Sequence, residues 1–197
     1  NRSWLLILSE ENNKNTMGLR GRSLFENQGV VSFVTTTVMH FQNVFSISES
    51  YYEILVNSLK FVLRKYDAAL IAYVLMPNHI HLILSIASTK ILSSFMRDFK
   101  RHTSVRIRDQ LILDEKFEMV ERFKYYSRYD AKSGFKFWQE RFDDFIVYNE
   151  KTLGVKINYI HNNPVKKGLV KNPEDWKYSS YRNYFHSDNS VIEISCV

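Results

Sequence analysis

Residues 68 to 86 hold two apolar runs, Ala68 to Leu75 and His79 to Ile86, broken only by Met76-Pro77-Asn78. Pro and Asn are turn formers, so the spacing predicts an antiparallel strand pair. Inside the second run stand His79 and His81. Residues i and i+2 of a strand share a face, so both imidazoles project together from an otherwise apolar element. A buried strand ordinarily carries Val, Ile or Leu at such positions, and an imidazole buried without partners leaves polar atoms unsatisfied. The pair reads either as two satisfied core histidines or as half of a metal site.

The neighbouring segments supply the rest of a sheet. Val30 to Val38, with Val31, Phe33 and Thr35 to Thr37, is β-branched and predicts a strand. Ser48 to Tyr66 repeats apolar residues at Tyr51, Leu55, Leu59, Val62 and Tyr66, one face of a helix, with Ser48 or Ser50 available as N-cap. A second helix is expected from Ser88 to about Arg108, its apolar side formed by Ile91, Leu92, Phe95 and Phe99. Its other side carries Arg97, Arg101 and Arg108, with Lys100 and Arg106 nearby, which reads either as a solvated face or as a surface for a phosphate backbone. Residues 109 to 134 read as an excursion of one helix and a loop with a turn at Ala131-Lys132-Ser133-Gly134, and Phe135 to Val147 is expected to return to the sheet. The order β-α-β-β-α-β predicts an α+β fold: a ferredoxin-like split βαβ sandwich, an antiparallel sheet with helices on one face, plus a C-terminal helix.

Length and charge bound the remaining choices. The chain has 197 residues, the size of one domain, and a formal charge of +6, which suits polyanion binding without requiring it. Its single cysteine, Cys196, offers no disulfide framework and no Cys-based zinc site, and points to a reducing, cytoplasmic setting. No stretch reaches the apolar length of a membrane span, so no membrane partner is expected. Residues 1 to 16 lack a pattern and are expected to be disordered or an upstream extension, with Met17 as the working start. A single domain is expected over residues 17 to 186 and a C-terminal tail over 187 to 197.

A last helix is expected from Asn149-Glu150-Lys151 to Asn163, where Pro164 disfavours continuation. Tyr159 and Asn163, four apart, are neighbours on its face. The segments Tyr73-Val74-Leu75-Met76-Pro77-Asn78-His79-Ile80-His81-Leu82 and Tyr159-Ile160-His161-Asn162-Asn163-Pro164-Val165-Lys166-Lys167-Gly168-Leu169-Val170 resemble the two signatures of the single-tyrosine HUH transposases. Within that superfamily the chain is most similar to the REP-associated tyrosine transposases and their insertion-sequence relatives. The likeness runs from about Val30 to Tyr184 and includes Thr36, Phe95-Met96, Lys100-Arg101, Phe137-Trp138-Gln139 and the closing Pro173-Glu174-Asp175-Trp176-Lys177-Tyr178-Ser179-Ser180-Tyr181. The resemblance implies Tyr159 as the nucleophile that joins a DNA 5′ phosphate. It implies His79, His81 and Asn163 as donors to a divalent metal, Mg2+ or Mn2+.

The chemistry is coherent with that resemblance. A phenol titrates near pH 10 and is a poor nucleophile at neutral pH unless its target is activated. A divalent cation on two imidazoles and a carboxamide would keep its charge and open positions for phosphate. No Gly-rich phosphate loop with its Lys is present, so no nucleotide cofactor is expected. Arg97, Lys100, Arg101, Lys166 and Lys167 are the expected DNA contacts, with single-stranded or hairpin DNA as partner and a homodimer left open. Trp176, Tyr178, Tyr181 and Tyr184 read either as base-stacking platforms or as core, and Asp143 and Asp144 as candidates for a further metal donor. Two alternatives stay open: a repeat-DNA-binding or regulatory protein of the same fold that does not cleave, and a metal hydrolase with a water nucleophile.

Overall fold

Alternation along two strands, β1 (Val30–Thr37) and β3 (His79–Ile86), sends their side chains to two faces that are both covered. The computed structural model describes residues 29–128 and 134–195; the expected extension, the start at Met17 and the residues Ala131 to Ser133 lie outside them. Between β1 and β3 in the chain come a helix, α1 (Glu49–Lys65), and a strand, β2 (Ala69–Leu75). After β3 come α2 (Thr89–Leu113), α3 (Phe117–Tyr126), β4 (Asp143–Ile146), α4 (Glu150–Lys166) and α5 (Tyr181–His186). The strand order is β2-β3-β1-β4 and every neighbouring pair is antiparallel. This is the split βαβ arrangement that the element order predicts.

The two faces have separate cores. Val34, Tyr73, Leu75, Ile80, Leu82 and Leu84 pack against Leu55 and Leu59 of α1 and Phe95 and Phe99 of α2. On the opposite face Val31, Ile71, Ala72, Val74 and Ile83 meet Leu153 and Ile160 of α4. Ile71 and Ala72 both reach this second core because the register of β2 on β3 shifts between Leu70 and Ala72, the signature of a bulge. His79 and His81 alternate with Ile80 and Leu82 and share the α4 face with Ile83.

Two expectations, the ends of the second and last helices, need revision. The second helix does not end near Arg108: Phe99, Thr103, Ile107 and Leu111 continue one buried stripe at a spacing of four, and the charged residues between them are its outer face. Residues 135 to 147 return to the sheet, as expected, by their last part. Only Asp143–Ile146 forms a ladder with β1, whereas Phe137 and Trp138 are buried and fill the core beside Phe45, joined to the sheet by a single bridge from Trp138 to Val38. The last helix passes through Pro164 to Lys166. So near its end the proline ring is buried, and Gly168, at φ +68°, closes the helix: Gly168 N donates to the Val165 carbonyl and Leu169 N to the Pro164 carbonyl, a Schellman motif. The described part of the C-terminal segment, residues 187–195, packs on the sheet. Ile192 and Ile194 join the first core, and Ser195 N donates to the Leu70 carbonyl on the edge strand β2.

Candidate active site

The β1–β3 register sets Thr35 opposite His81 and Thr37 opposite His79. Directly opposed residues share a face, so the Thr35 hydroxyl lies against the imidazole, with Oγ1 2.8 Å from His81 Nδ1. His79 Nδ1 donates to Asn78 Oδ1 at 2.7 Å. A carboxamide oxygen only accepts, so His79 carries its proton on Nδ1 and keeps the Nε2 lone pair free. The Thr35 hydroxyl can accept as well as donate, and when it accepts from His81 Nδ1 that ring has the same tautomer as His79. Burial pushes His79 down to about 4, helped by the nearby Lys167 charge. Burial, with His79 and Lys156 adding to it, pushes His81 down to about 3. Both rings are therefore neutral near pH 7, the form that can bind a cation.

The helix opposite is well specified. Asn149 caps α4 by accepting from Thr152 N at 2.9 Å, Glu150 occupies its first turn and Lys166 its last. Ile160 buries the helix in the second core, which turns the adjacent Tyr159 toward β1 and β3. The Tyr159 ring meets the His81 ring edge-on, centroids 5.2 Å apart, and the Phe33 ring at 5.9 Å. Phe33 in turn stacks on His81 at 5.4 Å, and the two histidine rings lie 4.8 Å apart. All these groups belong to one chain. Tyr159 keeps 39% of its surface exposed, whereas His81 keeps 4% and Asn163 3%. The Tyr159 side chain thus reaches the surface beside polar groups that are shielded from water.

Two atoms in this region stand out energetically. His81 Nε2 and Asn163 Oδ1 are both buried without a hydrogen-bond partner. Each such atom costs about 1–3 kcal/mol unless something satisfies it. Two neutral lone-pair donors, one on β3 and one a single turn after Tyr159 on α4, are of the kind that would accept a divalent cation. Among the described residues no group of three or more His, Cys, Asp or Glu gathers to hold a metal, so Asp143 and Asp144 do not join the histidines.

Cations surround the tyrosine. Lys166 Nζ lies 5.7 Å from the Tyr159 ring centre, and Lys156 Nζ lies 4.6 Å from that of Phe33. Arg97, Lys100 and Arg101 are elsewhere: they line a cavity of about 600 Å³ with Lys136 and Trp138, on the sheet face covered by α2. There Lys100 Nζ donates to the carbonyls of Gln139 (2.7 Å) and Glu140 (2.9 Å), and burial pushes it down to about 8. Trp176, Tyr178 and Tyr184 pack against the cores. Sequence reasoning passed over Thr35, Phe33 and Lys156. Thr36, singled out instead, pairs with Ile80 and so faces α1 and α2. Only the strand register distinguishes these adjacent threonines.

Similarity to known proteins points the same way. The family model described as "Transposase IS200 like" matches residues 38–163, a stretch that contains His79, His81, Tyr159 and Asn163. A Haemophilus influenzae protein assigned to the REP-associated tyrosine transposases is 30% identical over 123 residues, 62% of this chain and 62% of its own length. The REP-associated tyrosine transposase of Escherichia coli K12 is 41% identical over 51 residues, 26% of this chain and 28% of its own. The chain thus matches less than two thirds of the length of either relative. In fold it is similar to a solved REP-associated tyrosine transposase bound to a REP hairpin, with a TM-score of 0.59, 23% identity and 92% of each chain covered.

Proposed function

Because the chain belongs to the family of IS200-like transposases, we propose that it nicks and rejoins single-stranded DNA at a folded hairpin or repeat. In this reading Tyr159 is the nucleophile, and His79, His81 and Asn163 hold a divalent cation, Mg2+ or Mn2+. The observation that carries it is the pair of buried, unpartnered acceptors, His81 Nε2 and Asn163 Oδ1, on the two elements that flank the half-exposed Tyr159. A divalent cation held there supplies Lewis acidity, polarising the scissile phosphate and offsetting charge on the departing oxygen.

The chain's own groups do the rest. Tyr159 Oη forms the new bond to phosphorus and releases its proton to solvent. The bond from phosphorus to the 3′ oxygen breaks, and that oxygen takes up a proton to become a free hydroxyl. The 5′ phosphate stays on Tyr159 as a phosphodiester. One phosphodiester has replaced another, so rejoining needs no nucleotide. Lys156, Lys166 and Lys167 place ammonium groups beside Tyr159 and His79 to meet the phosphate, Lys166 and Lys167 from exposed positions and Lys156 from a half-buried one. Arg97 and Arg101 meet DNA phosphates away from the reacting bond, and Lys100 braces the wall of that groove. A hairpin is the partner bound by the solved structural relative, and we assign the same class of partner here.

The test is incubation of the protein with labelled single-stranded hairpin oligonucleotides and Mn2+. The native chain should form a covalent protein–DNA band, and Tyr159→Phe should lose the band and cleavage while its binding stays within about twofold, because only one hydroxyl is removed. Undiminished cleavage by Tyr159→Phe would remove Tyr159 from the role. Tight binding by the native chain without any band would favour the non-cleaving regulatory alternative.

A further inference from the structure

His161 stands in the same segment as Tyr159, yet nothing in the proposed reaction uses it. Two residues correspond to about 200° around a helix, so its side chain leaves α4 on the side away from Tyr159. There it is 4% exposed, and its Nε2 lies 3.0 Å from Ser180 Oγ, which has no exposed surface at all. Ser180 belongs to the closing segment 178–180, which runs along the outer edge of β2: Leu75 N donates to the Tyr178 carbonyl, and Ser180 N to the Tyr73 carbonyl, both at 2.9 Å. Its hydroxyl makes three contacts. It accepts from Tyr73 N at 3.0 Å, lies 3.3 Å from the Tyr73 carbonyl and meets His161. All three are satisfied together when His161 carries its proton on Nε2 and the hydroxyl proton points to the carbonyl.

One buried oxygen therefore joins the tyrosine helix, the closing segment and the edge strand. The imidazole is packed edge-on by Tyr181 at 5.5 Å and Tyr184 at 5.2 Å, and Tyr184 Oη donates to the Ile71 carbonyl on β2. Leu153 and Ile160 anchor the helix through apolar contacts, which are non-directional. Such packing resists gross movement but does not by itself select one rotation of the helix over the sheet. A buried hydrogen bond on the far side does.

We infer that His161 and Ser180 form a clamp that fixes the rotation of α4, so that His161 is a positioning residue for attack by Tyr159. The inference rests on Tyr159 being the nucleophile. It assigns the closing segment a task beyond covering the edge of β2: it sets the distance between the phenol on α4 and the histidines on β3.

The experiment compares the full chain with His161→Leu, His161→Gln and Ser180→Ala. The Gln amide nitrogen reaches where Nε2 stands and restores a donor to Ser180, whereas Leu fills the space without one. Two readouts are taken: single-turnover cleavage of a hairpin oligonucleotide with Mn2+, and amide hydrogen exchange without metal or DNA. His161→Leu and Ser180→Ala should cleave roughly 10- to 100-fold more slowly, the scale of a misplacement of about 1 Å, with hairpin affinity unchanged. They should lose exchange protection in α4 while β1 and β3 keep theirs, and His161→Gln should recover both quantities. Native-like cleavage and protection in His161→Leu, or a uniform loss of protection over helix and sheet, would overturn the clamp. If His161→Leu does not fold, Ser180→Ala decides by the same criteria. Absence of a covalent band from the native chain would count against the proposed function, and the exchange measurement would still decide the clamp.

Discussion

At the scale of single residues, the candidate site is governed by which lone pairs remain free. Thr35 matters because it engages His81 Nδ1 and so directs Nε2 away from the sheet partner. Thr35→Val keeps the β-branched shape and removes the hydroxyl, and should weaken Mn2+ binding by about 10- to 100-fold, the usual effect of losing an outer hydrogen bond to a ligating histidine. Calorimetric titration of Mn2+ into the two proteins checks this; equal affinities would mean that the Thr35 contact does not orient the ring. His79 and His81 were singled out in the sequence by their spacing on a strand, and Tyr159 and Asn163 by their spacing on a helix together with the family resemblance. Thr35, Phe33 and Lys156 were not. Their part depends on the pairing of β1 with β3 and on the tilt of α4, which no local pattern encodes.

Among the elements, α4 carries the most weight because it brings Tyr159 to the strand histidines. Its start was readable from Asn149, a capping residue ahead of an acidic first turn. Its end was not, because Pro164 ordinarily stops a helix and here is tolerated in the final turn beside a closing glycine. Gly168 holds φ at +68°, a left-handed conformation that costs other residues about 1–2 kcal/mol. Gly168→Ala should therefore lower stability by about 1 kcal/mol, read by urea denaturation, and displace Lys166 and Lys167 enough to slow cleavage. No change in stability would show that the Schellman closure contributes little. The strands around the Pro77 turn were readable for a different reason, since each is a mostly apolar run and turn formers separate the two. Segment 135–147 returns to the sheet as expected, although the aromatic alternation of Phe135 and Phe137 serves core filling and the ladder comes only at Asp143–Ile146.

For the whole molecule, three buried imidazoles couple the fold to pH. Burial holds His79 and His161 down at about 4 and His81 at about 3, so all three are neutral in the folded chain near pH 7. Unfolded imidazoles titrate near 6.5. Between these values the unfolded chain binds more protons than the folded one, so stability is full above about pH 6.5 and falls as the pH drops toward 4. Urea unfolding in the presence of chelator should show a lower midpoint at pH 5 than at pH 7, and a constant midpoint would contradict the burial of these rings. The same chain has no helix, among its described residues, long and apolar enough to cross a membrane. Its antiparallel sheet with helices on one face and a further C-terminal helix was foreseeable from element order; the covering of the second face by that helix and the docking of residues 187–195 on β2 were not, since Ile192 and Ile194 are too few to form a pattern.

The central claim is that His79, His81 and Asn163 hold a cation without which Tyr159 does not cleave. It is tested most directly by hairpin cleavage in EDTA and after Mn2+ is restored, using the native chain with His79→Ala, His81→Ala and Asn163→Ala in parallel. The account predicts no cleavage in EDTA and recovery with Mn2+ for the native chain. It predicts no recovery for either histidine variant, and partial recovery for Asn163→Ala, because water can replace a carboxamide oxygen. Persistent cleavage without metal, or by the His79→Ala and His81→Ala proteins, would contradict it and return both histidines to the core.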